Sequence, residues 1–416
     1  MDYRLQTTDS RLKTTDLKTL PITLTAPGER ALRAGHPWLF DGAIRSVKGE
    51  GRAGDLAIVF SVKKNKCIGV GLYDPDSPIR IRVLQAGPAK IDAAFFREKI
   101  EVAKAKRTDL LKTDTNGYRL LHGENDGLPG LVVDVYAGVA VLKLYSPAWL
   151  PWLALLQPLI VELADARALV LRLARVVQGA AAGAGLKDGQ VLAGTLPNEE
   201  ITFREHGLQF YANVVKGHKT GFFLDHRANR KRIGELAEGK RVLDVFSYAG
   251  GFSVHALGGG AERVTSLDIS EPALAQARRN VQLNFGDQPA VEDRHQTLAA
   301  DAFEGLADLA KEDESFDLVI VDPPSFAKSD REIPGALKAY RRVNKLAVPL
   351  VAPGGIFVAA SCSARVSSDE FFRVIASVLQ SSGRKHQFLE KSFHDVDHPI
   401  GFAEGAYLKT VYYRVW

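Results

Sequence analysis

The chain has only two cysteines in 416 residues, Cys67 and Cys362. Two thiols in unlike contexts exclude a disulfide framework and point to a reducing compartment, the cytoplasm. No apolar run approaches the ~20 residues that span a bilayer, so no membrane partner is expected. The opening stretch, MDYRLQTTDSRLKTTDLKTL, lacks the apolar core of a secretory signal. Polar and nearly repetitive (TTDSRLK, then TTDLK), it reads as a disordered leader over 1–20. Neither sign of charge dominates: Lys+Arg 54 against Asp+Glu 49 leaves +5, which permits nucleic-acid binding without requiring it. What remains is globular in composition, 46% hydrophobic and 25% charged, and too long for one ordinary core.

From 21 to 90 short β-like runs (LAIVF, CIGVGLY, IRIRVL) are broken by turn chemistry, after a helix-and-turn segment ERALRAGHPWLFDGAI. From 91 to 205 a helical stretch, Ala93 to Leu111, precedes strand-like runs and a Leu-rich helical stretch, the pattern of a small α+β domain. Within it AAAGAGLKDGQVLAG reads as a loop. From 206 to 416 apolar runs ending in acids (VLDVF, VTSLD, LVIVD) alternate with helical segments such as EPALAQARRNVQLN. That rhythm argues for a mostly parallel sheet covered on both faces by helices, with ligands at the strands' carboxyl ends.

Three pieces of this last domain carry chemistry. RVLDVFSYAGGFSVHAL takes a strand through Asp244 into a turn where Gly250 and Gly251 let a ligand approach the backbone. Asp268 ends the next strand, where a carboxylate can accept hydrogen bonds from a ribose diol. In DAFEGL, Asp301 or the Ala302 amide can meet an adenine amino group and Phe303 can stack on its ring. No G-x-G-x-x-G accompanies them, so a lone nucleoside with a sulfonium tail fits better than a nicotinamide dinucleotide.

FDLVIVDPPSF then sets Asp322, Pro323 and Pro324 at the end of a buried strand. The prolines stiffen the loop, carbonyls near Asp322 can face a substrate amino group, and Phe326 can stack on a base. Cys362, in GGIFVAASCSARV, follows a further strand. A buried cysteine that merely packs is the ordinary reading, and Cys67 suits it. At Cys362 the flanking Ser361 and Ser363 and the nearby Arg365 favour a reactive thiolate instead.

Together these residues resemble the class I S-adenosylmethionine-dependent RNA methyltransferases. Within them the likeness is to the bacterial large-subunit ribosomal RNA cytosine-5 family related to RlmI, over nearly the whole chain from Pro21. The resemblance implies an α/β fold: a C-terminal Rossmann-like methyltransferase sheet, a small α+β (EEHEE-like) domain before it, and an N-terminal β-rich PUA-like module. It implies RNA contacts at Arg33, His36 and Trp38 of that module. GHKTGFFLDHRANR resembles a loop closing over the cofactor, which adds Lys219, Phe223 and Arg227. The stretch Asp244 to Phe252, with Phe246, Ser247, Tyr248 and Gly250, matches a cofactor motif, as do Asp268 with Ile269, Asp301 and Asp322. SCS matches the nucleophile motif and gives Cys362 the covalent role, with Asp322 as its catalytic partner. The implied cofactor is S-adenosyl-L-methionine and the implied product 5-methylcytosine in 23S ribosomal RNA. Many RNA cytosine-5 enzymes carry a second cysteine where this chain has DPPSF, so the base that removes the C5 proton is not named by the motif.

Charge clusters in HKTGFFLDHRANRKR and KAYRRVNK, among them Arg230, Arg232 and Arg341, suit RNA phosphates or simply face solvent. His394, Asp397 and His398 read as loop polar groups, with no metal implied. Two other functions stay open on sequence: N-methylation of a purine in ribosomal RNA, with Cys362 only packing, and an RNA-binding ribosome-assembly factor without catalysis. A homodimer is compatible with the pattern and not required by it.

Overall fold

A computed structural model describes residues 17–288 and 291–416, with the side chains of 291 and 292 excluded. The leader expected over 1–20 thus lies outside the described residues up to position 16. Beyond that it is partly structured, since a strand already begins at Thr19. The chain divides into two compact units. One contains residues up to 204 with 211–224 and 396–402, and the other 205–210, 225–395 and 403–416. Two short stretches of the sequence's last domain therefore cluster with the first unit.

The first unit holds two large sheets, and a two-stranded one, Glu200–Glu205 with Leu208–Asn213, is shared between the units' residue ranges. The N-terminal sheet has six strands, in the order 38–40, 79–86, 67–73, 56–60, 19–24 and 44–47. Alternating burial along Leu56–Phe60 and Thr19–Leu24 turns one face of it onto Leu20, Ile22, Leu39, Val59 and Ile81. The second sheet, five strands in the order 191–194, 168–173, 139–144, 131–136 and 117–122, packs beneath the helices Ala93–Ala105 and Leu153–Leu163. The small-residue stretch read as a loop is one only over 184–190. Its start completes a helix, Arg175–Gly183, and its end is the edge strand Val191–Gly194. Alanine has the highest helix propensity, and burial of Val177 and Ala181 fixes the helix face.

Sequence reading gave no hint of the charge at this unit's centre. Arg107 is fully buried and donates to both carboxylate oxygens of Asp126 (3.1 and 2.5 Å) and to the Asp397 carbonyl. Asp397 accepts the Arg119 amide and meets His398 Nδ1 at 2.8 Å. Among the described residues no cluster of three metal-ligand types occurs, and no helix is long and apolar enough to cross a membrane.

The second unit is the expected doubly wound sheet. Its strands are β1 (Arg241–Val245), β2 (Arg263–Asp268), β3 (His295–Ala299), β4 (Phe316–Val321), β5 (Val351–Ser361), β6 (His386–Ser392) and β7 (Lys409–Val415). They lie in the order 3-2-1-4-5-7-6. All neighbours are parallel except β7, which runs antiparallel to both β5 and β6. The helices are α1 (Arg227–Leu236), α2 (Gly251–Gly258), α3 (Glu271–Phe285), α4 (Ala302–Lys311), α5 (Ile333–Ala347) and α6 (Ser368–Ser381). Buried Leu306, Tyr340, Val343, Phe371 and Ile375 put α4, α5 and α6 on one face with Val319, Val321 and Phe357 of the strands. The central strands are buried on both sides, as their continuous apolar runs require. Because β1 to β5 are parallel, every acid that ends a strand, and Cys362 after β5, falls at the same edge of the sheet.

Candidate active site

That edge is shaped first by backbone. In the turn from β1 to α2, Phe246 (φ 65°), Tyr248 (φ 48°) and Gly250 (φ 73°) all lie in the left-handed region. Non-glycine residues there are strained, and such strain gathers at functional sites. The turn is held down at Asp268, whose Oδ2 accepts the Tyr248 amide (2.9 Å) while Oδ1 accepts the Ser270 amide (2.8 Å). Each oxygen keeps a lone pair for a ligand diol. Ile269 beside it is exposed.

Asp244 is 1% exposed. Its Oδ2 accepts the Ser253 amide (3.1 Å) and hydroxyl (2.7 Å), and behind Ser253 runs a chain to Ser266 (2.6 Å) and His295 (2.8 Å). Its Oδ1 is buried without a hydrogen-bond partner, as is Ser247 Oγ. Burial, partly opposed by Ser253 and reinforced by the charges of Asp322 and Asp268, pushes the Asp244 carboxyl up to about 7. A buried carboxylate with one unsatisfied oxygen is expensive unless a ligand completes it. These polar atoms fit a methyl donor with a ribose and an amino-acid tail.

Asp301 caps α4 by accepting the Phe303 amide (2.9 Å), with Ala302 buried behind it. The Arg342 guanidinium lies over the Phe303 ring, 4.6 Å from its centre, and so occupies one of its two faces. Phe252 is buried against His226, with ring centroids 5.4 Å apart.

Past β4, Asp322 is partly exposed and lies 3.3 Å from His226 Nε2. Burial alone would lower the His226 pKa, but the Asp322 carboxylate reverses that and raises it. Pro323 is buried and Pro324 exposed. Phe326 packs against Tyr340 in a T-shaped contact, with ring centroids 4.9 Å apart. The Cys362 sulfur is half-buried and approaches the Pro323 carbonyl at 3.9 Å. The sulfur and the DPP turn thus face one another across neighbouring strands.

Several cations stand elsewhere than their sequence positions implied. Arg365, expected to sit by the thiol, is exposed and paired with Asp330. The cation beside Cys362 is Lys409, at the start of β7, which an alternating strand sequence gave no reason to single out. Arg230 is unavailable to phosphate, since it is buried and donates twice to the fully buried Glu205 (2.7 and 2.6 Å). Arg227 is fully buried and donates to Asp395 (2.9 Å). Arg232 is partly exposed and bonded to Glu390, whereas Arg341 is exposed and donates to Ser377. His226 and Lys409 are the site groups that sequence reasoning missed.

The remaining candidates belong to the first unit. Lys219 is exposed, its ammonium 5.6 Å from the Phe223 ring. Arg33 is exposed and paired with Glu29. His36 and Trp38 are half-buried beside Phe402, and the Trp38 indole donates to Glu124 (2.9 Å).

A family profile described as S-adenosylmethionine-dependent methyltransferase matches residues 119–408, and one for a PUA-like domain matches 22–86. The chain belongs to the S-adenosylmethionine-dependent methyltransferases. Its methyl donor is S-adenosylmethionine, and the PUA-like profile covers the six-stranded sheet almost end to end. This methyltransferase is 45% identical over 402 residues to a protein of Deinococcus radiodurans named ribosomal RNA large subunit methyltransferase, covering 95% of this chain and 97% of the other. It is 37% identical to the ribosomal RNA large subunit methyltransferase I of Shewanella frigidimarina, covering 95% and 99%. In fold it matches a chain from Streptococcus mutans described as a proposed SAM-dependent methyltransferase, with TM-score 0.79 and 20% identity over 95% and 100%. A further structure, described as a proposed methyltransferase in complex with SAH, matches at TM-score 0.80, 20% identity, over 96% and 100%.

Proposed function

We propose that this enzyme methylates C5 of a cytosine in large-subunit ribosomal RNA, through a covalent bond from Cys362 to C6. The observation that carries the reading is the Cys362 sulfur set against the DPP turn, 3.9 Å from the Pro323 carbonyl. A sulfur turned into the core would have served packing alone. The names of relatives that match almost end to end supply the RNA substrate.

Cytosine C5 is a weak nucleophile, so addition must come first. The Cys362 thiolate bonds to C6, and the C5–C6 π pair moves towards C5. Asp322, with the Pro323 carbonyl, accepts hydrogen bonds from the N4 amino group, and from N3 when it is protonated, and so turns the face of the ring at C6 towards the sulfur. Bound S-adenosylmethionine supplies the electrophilic methyl group that C5 takes up. Loss of the C5 proton then returns its electron pair to the ring, and the S–C6 pair leaves with Cys362. A paired base must first swing out of its stack, which single-stranded and loop nucleotides do most cheaply.

Residues that would hold the cofactor are Asp244, Ser247, Asp268 and Asp301. RNA would meet the DPP turn, the PUA-like module through Arg33, His36 and Trp38, and exposed cations such as Arg341.

Replacing Cys362 by Ala is expected to abolish methyl transfer to ribosomal RNA while S-adenosylmethionine binding stays within about twofold. Substantial surviving transfer, with the label on a purine nitrogen, would instead support the N-methylation reading.

A further inference from the structure

A lysine ammonium is seldom found inside a protein core, since taking it out of water costs several kcal/mol unless it is well paired. Lys409 is such a case, 1% exposed. It opens β7 directly across the ladder from Ser361, the residue before Cys362. Two of its three N–H donors are used on one short turn: Nζ donates to the Ser363 carbonyl and to the Val366 carbonyl, both at 2.5 Å. The turn is braced from its other end by Tyr340, whose hydroxyl lies 2.8 Å from Ser361 Oγ. Ser361 Oγ in turn accepts the Ser363 amide.

The electrostatics agree with the geometry. Burial pushes the Lys409 pKa down to about 8, and ionised Cys362 and Glu370 act in the opposite direction. Such coupling is reciprocal, so whatever the thiolate does for the ammonium the ammonium does for the thiolate. Two acids also act on this turn: Glu370 on α6 acts on Lys409, and Asp322 on the β4 loop acts with Cys362 on Tyr340 of α5, whose hydroxyl is raised to about 12 chiefly by burial. Arg365 spends its charge on Asp330 in solvent.

We propose that Lys409 is a positioning residue for the Cys362 nucleophile: it ties down the turn that carries the sulfur and supplies the cation that favours its thiolate. This rests on the reading of Cys362 as nucleophile. It makes the buried lysine part of the reaction machinery rather than a packing oddity.

The test is alkylation of Cys362 by iodoacetamide in the full-length protein across pH 5.5 to 9.5, followed by peptide mass spectrometry so that Cys67 is counted separately. Wild-type Cys362 should reach half its maximal rate at a pH clearly below the ~8.5 of a free thiol. Lys409→Met should move that point up by about one unit, a roughly tenfold loss of rate near neutral pH, with S-adenosylmethionine affinity within about twofold. Methyl transfer should lose kcat and keep its KM for RNA. A merely structural lysine would lower stability and leave the thiol titration where it was. Superimposable profiles in a variant that still binds S-adenosylmethionine overturn the proposal. Should Lys409→Met fail to fold, Lys409→Gln keeps an amide donor for the carbonyls and carries the same readout. A wild-type thiol that titrates at the free-cysteine value overturns the proposal without any variant. If the thiol proves low and Lys409-dependent while the RNA product is not 5-methylcytosine, the reaction assignment fails and the role of Lys409 stands.

Discussion

Asp244 illustrates how a residue placed for a ligand can cost stability. Its carboxyl is raised by burial to about 7, against 3.8 for the ordinary group. Its contribution to stability is therefore fully present below about pH 4 and is lost as pH rises through 7, where the folded state must hold a buried anion. Each unit of such a shift is worth ~1.4 kcal/mol. Asp244→Asn removes the charge and nearly keeps the shape. It is expected to raise the melting temperature of the cofactor-free protein at pH 8 and to weaken S-adenosylmethionine binding at least tenfold by calorimetry. A lower melting temperature with unchanged affinity would mean that Asp244 is structural. The residue types themselves were readable in the chain, since acids at strand ends in an α/β pattern mark a ligand edge. Pairings between distant segments were not. Arg230 and Arg365 looked like neighbours of the chemistry in sequence, yet one is sequestered by Glu205 and the other by Asp330. Lys409 lies 47 residues beyond Cys362 and meets it only because β7 inserts beside β5.

The turn between β1 and α2 is the element on which the cofactor edge depends. Gly250 opens α2 with a positive φ, and a Cβ there would lie 2.8 Å from the Ala277 Cβ of α3. Gly250→Ala is expected to cost about 1–3 kcal/mol, from strain and from displacing α3, and to lower affinity for the cofactor in step. Urea denaturation and calorimetry on the same variant check both. That a glycine was needed here could be read directly from SYAGGF. The left-handed Phe246 and Tyr248 could not, because ordinary aromatic residues give no sign of a conformation held by the Leu267 carbonyl at Phe246 and by the Asp268 carboxylate at Tyr248. The loop expected over AAAGAGLKDGQVLAG holds for 184–190, and its first residues failed for the opposite reason. Small residues suggested a lack of structure, whereas alanines continue a helix whose face Val177 and Ala181 bury.

Considered whole, the molecule places a PUA-like module, a middle sheet and a methyltransferase sheet on one chain that crosses between its two units more than once. Alternating strands and helices revealed the order of architectures, but the return of 211–224 and 396–402 to the first unit depends on tertiary packing that no local pattern encodes. On the methyltransferase unit, Lys338, Arg341, Arg342 and Lys345 line one groove of about 460 Å³ with Phe303, and no acid pairs with them among the described residues. Neutralising all four to Gln should flatten the dependence of RNA affinity on salt by up to ~3 in log–log slope, with cofactor affinity untouched. An unchanged slope would assign them to a solvated helix face.

Everything functional converges on whether one sulfur bonds to one ring carbon. The direct measurement is incubation of the enzyme and its methyl donor with ribosomal RNA containing 5-fluorocytidine, where a fluorine replaces the proton that must leave from C5. A protein–RNA adduct that survives denaturation, maps by mass spectrometry to Cys362 and is absent from Cys362→Ala is the expected result. Methylation of ordinary RNA that proceeds while no such adduct forms would contradict covalent catalysis at Cys362.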